Sequence, residues 1–351
     1  IISEFFTDHT IGKLYKDLIF SLDKDKFQIF VFHSKKTYPG DVLNEFKNKE
    51  AEGVLKNKFM PTKLSEKINI IKEFKLDIIF YPDIGLSIEF YYLALIRLAK
   101  YQFTTFGHPE TTGSDSIDYY LISKNCVNEN TQKHYSEKLL LMNYLPMVYP
   151  KPIVKKKLSK SDLQRKNIYS CPQTLFKIHP DFDQIIFDII EMDKKAIVYL
   201  IKDRNKVWYK KLLNRLSNNN KYDPSKIIFL DPLNYGDYLL HIGKASVLLD
   251  PIYYGAGNSF FESMLFGTPT ITLPTDHIKS RLVLGAYKQM EIADPPIAKN
   301  IKNYVDLAVH YANRDDIGKL KKIYREAAEK KLFNTKKAGE EFNKILLDLF
   351  N

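Results

Sequence analysis

Chemistry is densest in the segment Leu249-Asp250-Pro251-Ile252-Tyr253-Tyr254-Gly255-Ala256-Gly257-Asn258-Ser259-Phe260-Phe261-Glu262. A strand pattern ends at Asp250, a glycine-bearing loop follows, and a helical pattern opens at Asn258 or Ser259. Glycine lets the backbone approach a ligand closely. Asn258 or Ser259 at the helix start would cap it. The remaining N–H groups, with the helix dipole, can hold a diphosphate without a basic side chain. Glu262 lies one turn in, where a carboxylate can accept both hydroxyls of a ribose. The same spacing fits a capped helix with an exposed glutamate. It is neither GxGxxG nor a P-loop.

A second segment, Cys171-Pro172-Gln173-Thr174-Leu175-Phe176-Lys177-Ile178-His179-Pro180, also joins a strand pattern to a helix. Lys177 at the strand's carboxyl end can neutralise a diphosphate leaving group; the alternative is one more surface lysine. His179 before Pro180 reads as a helix-entry residue. In the loop Asp231–Tyr238, backbone groups and the ring of Tyr238 can read and stack on a nucleobase, or the tyrosine can simply pack. Nearer the start, Asp8-His9-Thr10-Ile11-Gly12 opens a helix, and His9 there can accept a hydroxyl proton near neutral pH. His108 in Gly107-His108-Pro109-Glu110-Thr111-Thr112-Gly113 is placed alike after a strand, as is the turn Tyr81-Pro82-Asp83-Ile84-Gly85. Each also fits a capping or core role.

Alternating strand and helix patterns must position these residues, which predicts α/β layers with parallel sheets. Strands are expected at 27–33, 77–82, 102–106 and 118–123, with helices at 12–22, 64–74 and 89–100. Near 144–160 the composition turns polar, with prolines and Lys155-Lys156-Lys157, as in a linker. Strands then recur at 167–170, 196–201, 226–230, 246–250 and 270–273. Helices are expected at 180–192, 207–216, 235–242, 259–266, 280–290, 301–313, 317–331 and 336–349. Two Rossmann-like halves facing a cleft follow, with ligands at the strands' carboxyl ends.

The chain has 351 residues, 44% hydrophobic and 27% charged, which is globular composition and excludes wholesale disorder. No apolar run reaches the ~18 residues of a membrane span. Cys126 and Cys171 form no metal-ligand pattern, and so few cysteines fit a reducing compartment, hence a cytoplasmic location. The net charge of +11 comes mainly from lysine scattered through amphipathic segments. That fits translation from an AT-rich genome, or a basic surface; no nucleic-acid motif accompanies it. The start at Ile1, without Met or a leader pattern, reads as a fragment lacking its N-terminal part.

Five ordered motifs make the chain resemble the catalytic region of the O-GlcNAc transferase/SPINDLY group, glycosyltransferase family 41, in its bacterial SPINDLY-family branch. They are DHTIGKL at 8–14, YPDIG at 81–85, GHPETTGSDSIDY at 107–119, CPQTLFKIHP at 171–180 and LDPIYYGAGNSFFESMLFGTP at 249–269. The resemblance runs from about Phe5 to Asn334. It implies a GT-B fold: an acceptor-side domain at 1–148, a linker at 149–165, a nucleotide-sugar domain at 166–330 and a terminal helix at 331–351. It implies inverting transfer from a nucleotide-sugar, most typically UDP-GlcNAc, to protein Ser or Thr hydroxyls. No metal or other cofactor is implied. Partners would be a protein acceptor and an upstream tetratricopeptide repeat domain.

Residue by residue, the resemblance puts His9 at the active-site histidine and Lys177 at the lysine contacting the diphosphate. Gln173 or Thr174 takes the neighbouring glutamine's place, Asn258 and Ser259 those of paired threonines, and Glu262 that of a ribose-holding aspartate. Leu233 falls where a backbone group reads uracil, and Tyr238 where a ring stacks on it. Tyr235 and His241 replace basic residues, and Gly257 replaces a histidine. GHPETT is nearer the branch that modifies adhesins at Asn, and plant SPINDLY uses GDP-fucose, so the donor sugar and acceptor atom stay open. Other GT-B enzymes and a non-catalytic nucleotide-binding module are the alternatives.

Overall fold

The computed structural model describes residues 1–35, 39–154 and 156–350, with Thr335 as backbone only; Lys155 of the lysine run and the terminal Asn351 lie outside them. The chain divides into two compact units, Ile1–Pro150 with Phe333–Asn351, and Lys151–Leu332.

In the first unit β1 (Ile2–Ser3), β2 (Phe30–Ser34) and β3 (Lys56–Met60) form one parallel sheet. β4 (Ile78–Tyr81), β5 (Tyr101–Thr105), β6 (Tyr119–Ser123) and β7 (Lys138–Met142) form another, also parallel. β1 packs beside β4. Buried Ile2, Phe32, Ile79, Tyr81, Phe90 and Leu93 fill the core between sheet and helices. The helix Thr335–Asp348 belongs to this unit, and its Phe342 ring lies 5.7 Å from Phe80 and 6.2 Å from Phe103.

The second unit is one five-stranded parallel sheet, ordered β10 (Ile227–Leu230), β9 (Ile197–Ile201), β8 (Ile168–Cys171), β11 (Val247–Leu249), β12 (Thr270–Ile271). Strand order reverses between β8 and β11. Loops leaving neighbouring strands there diverge to opposite faces and open a crevice at the carboxyl ends. The loops after β8 and β11 are the two most chemically loaded sequence segments.

The structure corrects several expected elements. The helix expected over 89–100 runs only Ile88–Ala94. Ser114 and Ser116 hydroxyls bond the carbonyls of Ala94 and Leu95, and the Gln102 amide bonds Leu98 N and Ile96 O, which turns the chain. The strand expected from 27 starts at Phe30, because Phe27 N–H closes a turn onto Asp23 O. The helix Asp41–Ala51 and strands β1, β3 and β7 are additional. β3 and β7 are sheet edges with exposed faces, so they lack the doubly apolar pattern of covered strands. The helix expected from 280 begins at Leu282, after a short 3-10 turn at Ile278–Ser280.

Candidate active site

In the second unit, the crevice between β8 and β11 gathers Gln173, Lys177, Ser259 and Asp250. The Gln173 amide donates to the Ser259 hydroxyl. Lys177 Nζ lies 3.4 Å from Gln173 Oε1 and 3.3 Å from Gly255 O, and 4.3 Å above the Tyr254 ring. Burial lowers the Lys177 pKa below the ordinary lysine value, while Asp250 and Cys171 pull the other way. Lys177 is therefore a sheltered cation tied to both loops. Cys171 behind it is buried, and burial pushes its thiol up to about 12, so it is an inert neighbour. Gln173 is buried, whereas Thr174 is exposed and starts the 3-10 turn Leu175–Lys177.

Asp250 explains the shape of the second loop. Its carboxylate is 2% exposed and accepts from Ala256 N–H at 2.5 Å and Thr272 Oγ1 at 2.7 Å. Burial raises its pKa to about 6, against those hydrogen bonds and Lys177. The signal for this anchor was present in sequence: an acidic residue closing an apolar strand ahead of glycines. Helix Asn258–Met264 has Gly257 as its N-cap, with no side-chain cap bond, which corrects the expected Asn or Ser cap. Ser259 instead turns inward to Gln173.

Glu262 is 6% exposed, so the exposed-glutamate alternative falls away. Tyr235 Oη donates to Glu262 Oε1 at 3.0 Å, and the charge of this carboxylate also reaches Tyr238. Burial first, then Glu262, raises the Tyr238 pKa well above its ordinary value. The Tyr235 and Tyr238 rings stack at 6.3 Å and 16° on helix Tyr235–Lys244. Leu233 is half-buried in the loop before them. His241, on the same helix, points away: its Nε2 bonds Ser170 Oγ at 2.8 Å, and burial lowers its pKa to about 4.

In the first unit, His9 is the N-cap of helix Thr10–Phe20, its Nδ1 accepting from Ile11 N–H at 3.2 Å. Phe5 lies against the ring at 4.6 Å. Burial, then Lys13, lowers the His9 pKa, so the neutral ring prevails at pH 7. With Nδ1 accepting, the neutral tautomer carries its proton on Nε2. In this geometry His9 Nδ1 is taken up by the helix cap and Nε2–H is presented as a donor. His108 sits on Gly85, whose φ is +104° and whose Cβ, if present, would lie 2.8 Å from the His108 ring. A Cβ at Gly107 would meet Pro82 O at 2.0 Å and Ile11 Cδ1 at 3.0 Å, so the turns after β4 and β5 close on the start of the His9 helix. Ser3 Oγ donates to buried Asp83 at 2.8 Å, clamping the ends of β1 and β4. Among the described residues no three His, Cys, Asp or Glu side chains converge as a metal-ligand set. No described helix is long and apolar enough to cross a membrane.

Residues 147–342, just over half the chain, match glycosyl transferase family 41. The chain belongs to this family. A UDP-glucose:protein N-beta-glucosyltransferase of Actinobacillus pleuropneumoniae is 24% identical over 242 residues, 67% of this chain and 38% of that protein. A probable UDP-N-acetylglucosamine–peptide N-acetylglucosaminyltransferase of Arabidopsis thaliana is 25% identical over 61% of this chain and 23% of its own length. This family 41 chain thus spans about two-fifths or less of those relatives. The solved O-GlcNAc transferase of Thermobaculum terrenum superposes with a TM-score of 0.82 at 17% identity, over 99% of this chain and 66% of that one. That likeness gives the family 41 chain its GT-B fold.

Proposed function

We propose that this chain is the catalytic region of an inverting protein glycosyltransferase that takes a sugar from a UDP-linked donor, GlcNAc or a related hexose, to Ser or Thr hydroxyls. The observation that carries this reading is Lys177, held at the sheet's switch point by the Gly255 carbonyl and by Gln173, which also binds Ser259. The second unit would hold the donor. Its diphosphate would lie over the 255–259 loop against Lys177, with Glu262 taking ribose hydroxyls and Tyr238 flanking the base. Each carboxylate oxygen has two lone pairs, so Glu262 can accept from ribose beside its tyrosines.

In the reaction the acceptor hydroxyl oxygen attacks the anomeric carbon while the bond to the diphosphate breaks on the opposite side, and the hydroxyl proton passes to water. Negative charge grows on the leaving diphosphate, where Lys177 and the first-turn N–H groups oppose it. A preorganised donor of this kind is worth roughly 2.7–4 kcal/mol. His9, presenting Nε2–H, would position the acceptor hydroxyl. Both cysteines are free and buried, which suits a reducing compartment such as the cytoplasm.

A second reading, glucose transfer to Asn, draws support from the Actinobacillus relative's activity and from the GHPETT motif. One experiment tests both. Calorimetry with UDP, GDP, UDP-GlcNAc, UDP-glucose and GDP-fucose identifies the donor, and mass spectrometry of Ser/Thr- and Asn-containing peptides incubated with it identifies the modified atom. Selective UDP binding with Ser/Thr modification supports the first reading, and Asn modification the second. Binding of no nucleotide by the folded chain would overturn both.

A further inference from the structure

The 3-10 turn Leu175–Lys177 exposes one residue that the donor site does not use. Phe176 is 56% exposed and stands 5.9 Å from the ring of Trp208, itself 42% exposed. Val207 beside it is 51% exposed. Apolar side chains in contact and this open to water mark an interaction surface more often than an accident of packing. Cations adjoin Val207 and Trp208 along the chain. Arg204, Lys206, Lys210 and Lys211 are all exposed. Among the described residues, none of the four has a carboxylate within ion-pair distance; Lys211 instead lies 4.8 Å over the Trp208 ring. The nearest acids are engaged elsewhere. Asp203 accepts from the N–H groups of Val207, Trp208 and Tyr209, and Asp231 pairs with Lys202 while feeling Lys206.

The platform is rigid. Helix Val207–Ser217 is fastened at its far end by Arg215, which bonds both oxygens of Asp183 and the carbonyl of Ile178. Asp203 holds the near end. We propose that Phe176, Val207 and Trp208, with the exposed Arg204, Lys206, Lys210 and Lys211 that adjoin them in the chain, dock an acidic, apolar-bearing peptide segment of the protein acceptor. Acceptor docking rests on the transferase reading above. Charge complementarity selects the partner: an apolar centre with adjoining unpaired cations fits a peptide carrying Asp and Glu around a large apolar residue. Single-stranded nucleic acid fits less well, because base stacking needs an open ring face. Here Lys211 covers one face of Trp208, and Phe176 packs against the ring at 57°. Because Phe176 adjoins Lys177, a peptide held here is tethered beside the donor loop.

Trp208 is the only tryptophan in the chain, so its emission reports the surface directly. The probes are a Glu-rich peptide with a central Phe-Leu pair, the same peptide with Lys for Glu, phosphatidylserine vesicles and a single-stranded RNA. The acidic peptide should shift Trp208 emission saturably, and added salt should weaken it. F176A and the triple variant K206E/K210E/K211E should each bind it about tenfold more weakly or worse, with UDP affinity by calorimetry unchanged. An equal response to the Lys peptide, an unchanged triple variant, or a response only to vesicles or RNA would overturn the proposal. Transfer to protein acceptors without acidic-peptide binding would overturn the docking site and leave the transferase reading standing. Peptide binding without transfer from any nucleotide-sugar would overturn the reading, and with it the assignment of the peptide as acceptor.

Discussion

Lys177→Ala removes the cation that bridges Gln173 and the Gly255 carbonyl, so on the proposed transferase reading the loss should fall on kcat rather than on folding. Turnover should drop ~10²–10³-fold, with UDP bound more weakly and the thermal midpoint nearly unchanged; full turnover would discard the diphosphate role. Glu262→Ala should remove discrimination between UDP and its 2′,3′-dideoxy analogue, a difference of roughly ten- to a hundredfold for charge-assisted bonds. Competition binding measures it, and retained discrimination would take Glu262 out of ribose recognition. Asp83 makes a third case. Burial raises its pKa to about 7, against the Ser3 bond and with help from Glu4. Its folded value stands above the unfolded ~4, so its contribution is complete below that value and is lost as pH climbs towards 7. Asp83→Asn, which keeps an acceptor for Ser3, should flatten the fall in urea midpoint between those limits; an unchanged slope would exclude Asp83 as its source. The sequence pointed to the neighbourhoods of all three residues, since a Lys, a Glu or an Asp at a strand end is visible in one dimension. Burial is not, which is why an exposed Glu262 was an open alternative and why the tautomer of His9 waited for its bond to Ile11.

Among elements, the parallel strands under helices on both faces were legible because they are apolar throughout, whereas edge strands β3 and β7, half in water, were not. Turns were the weakest point, because side chains distant in sequence decide them, as Gln102 and Ser114 do at the end of helix Ile88–Ala94. Two glycines separate backbone strain from steric conflict. Gly267 and Gly53 have φ of +71° and +72°, but a Cβ at Gly267 would lie 1.8 Å from Lys321 O, while at Gly53 it would meet nothing within 4 Å. Gly53→Ala should cost about 1–2 kcal/mol, the left-handed penalty alone. Gly267→Ala must also push the Lys321 helix away, and buried Lys321 is bonded to Gly243 O at 3.0 Å and Ala245 O at 2.6 Å. Its cost should be clearly larger in parallel urea titrations; equal costs would mean that the contact yields freely.

At the scale of the whole molecule, the helix Thr335–Asp348 completes the first unit from the far end of the chain. Deleting 333–351 uncovers Phe80 and Phe103, so calorimetry of that truncation should show the first unit's transition lost or shifted down by several degrees, with the second unit's kept. An unchanged two-unit profile would mean that the helix is dispensable. The sequence disclosed a final amphipathic helix but not its destination, because its apolar stripe could serve either unit. This routing also makes the second unit an insertion: it joins the first at two places, after Pro150 and before Phe333. A protease that cuts the proline-containing stretch near Lys151 therefore severs one of two tethers. The halves would run apart on a denaturing gel yet migrate as one particle in native buffer, because the terminal helix, still covalently joined to the second unit, stays packed through Phe342 on Phe80 and Phe103 of the first.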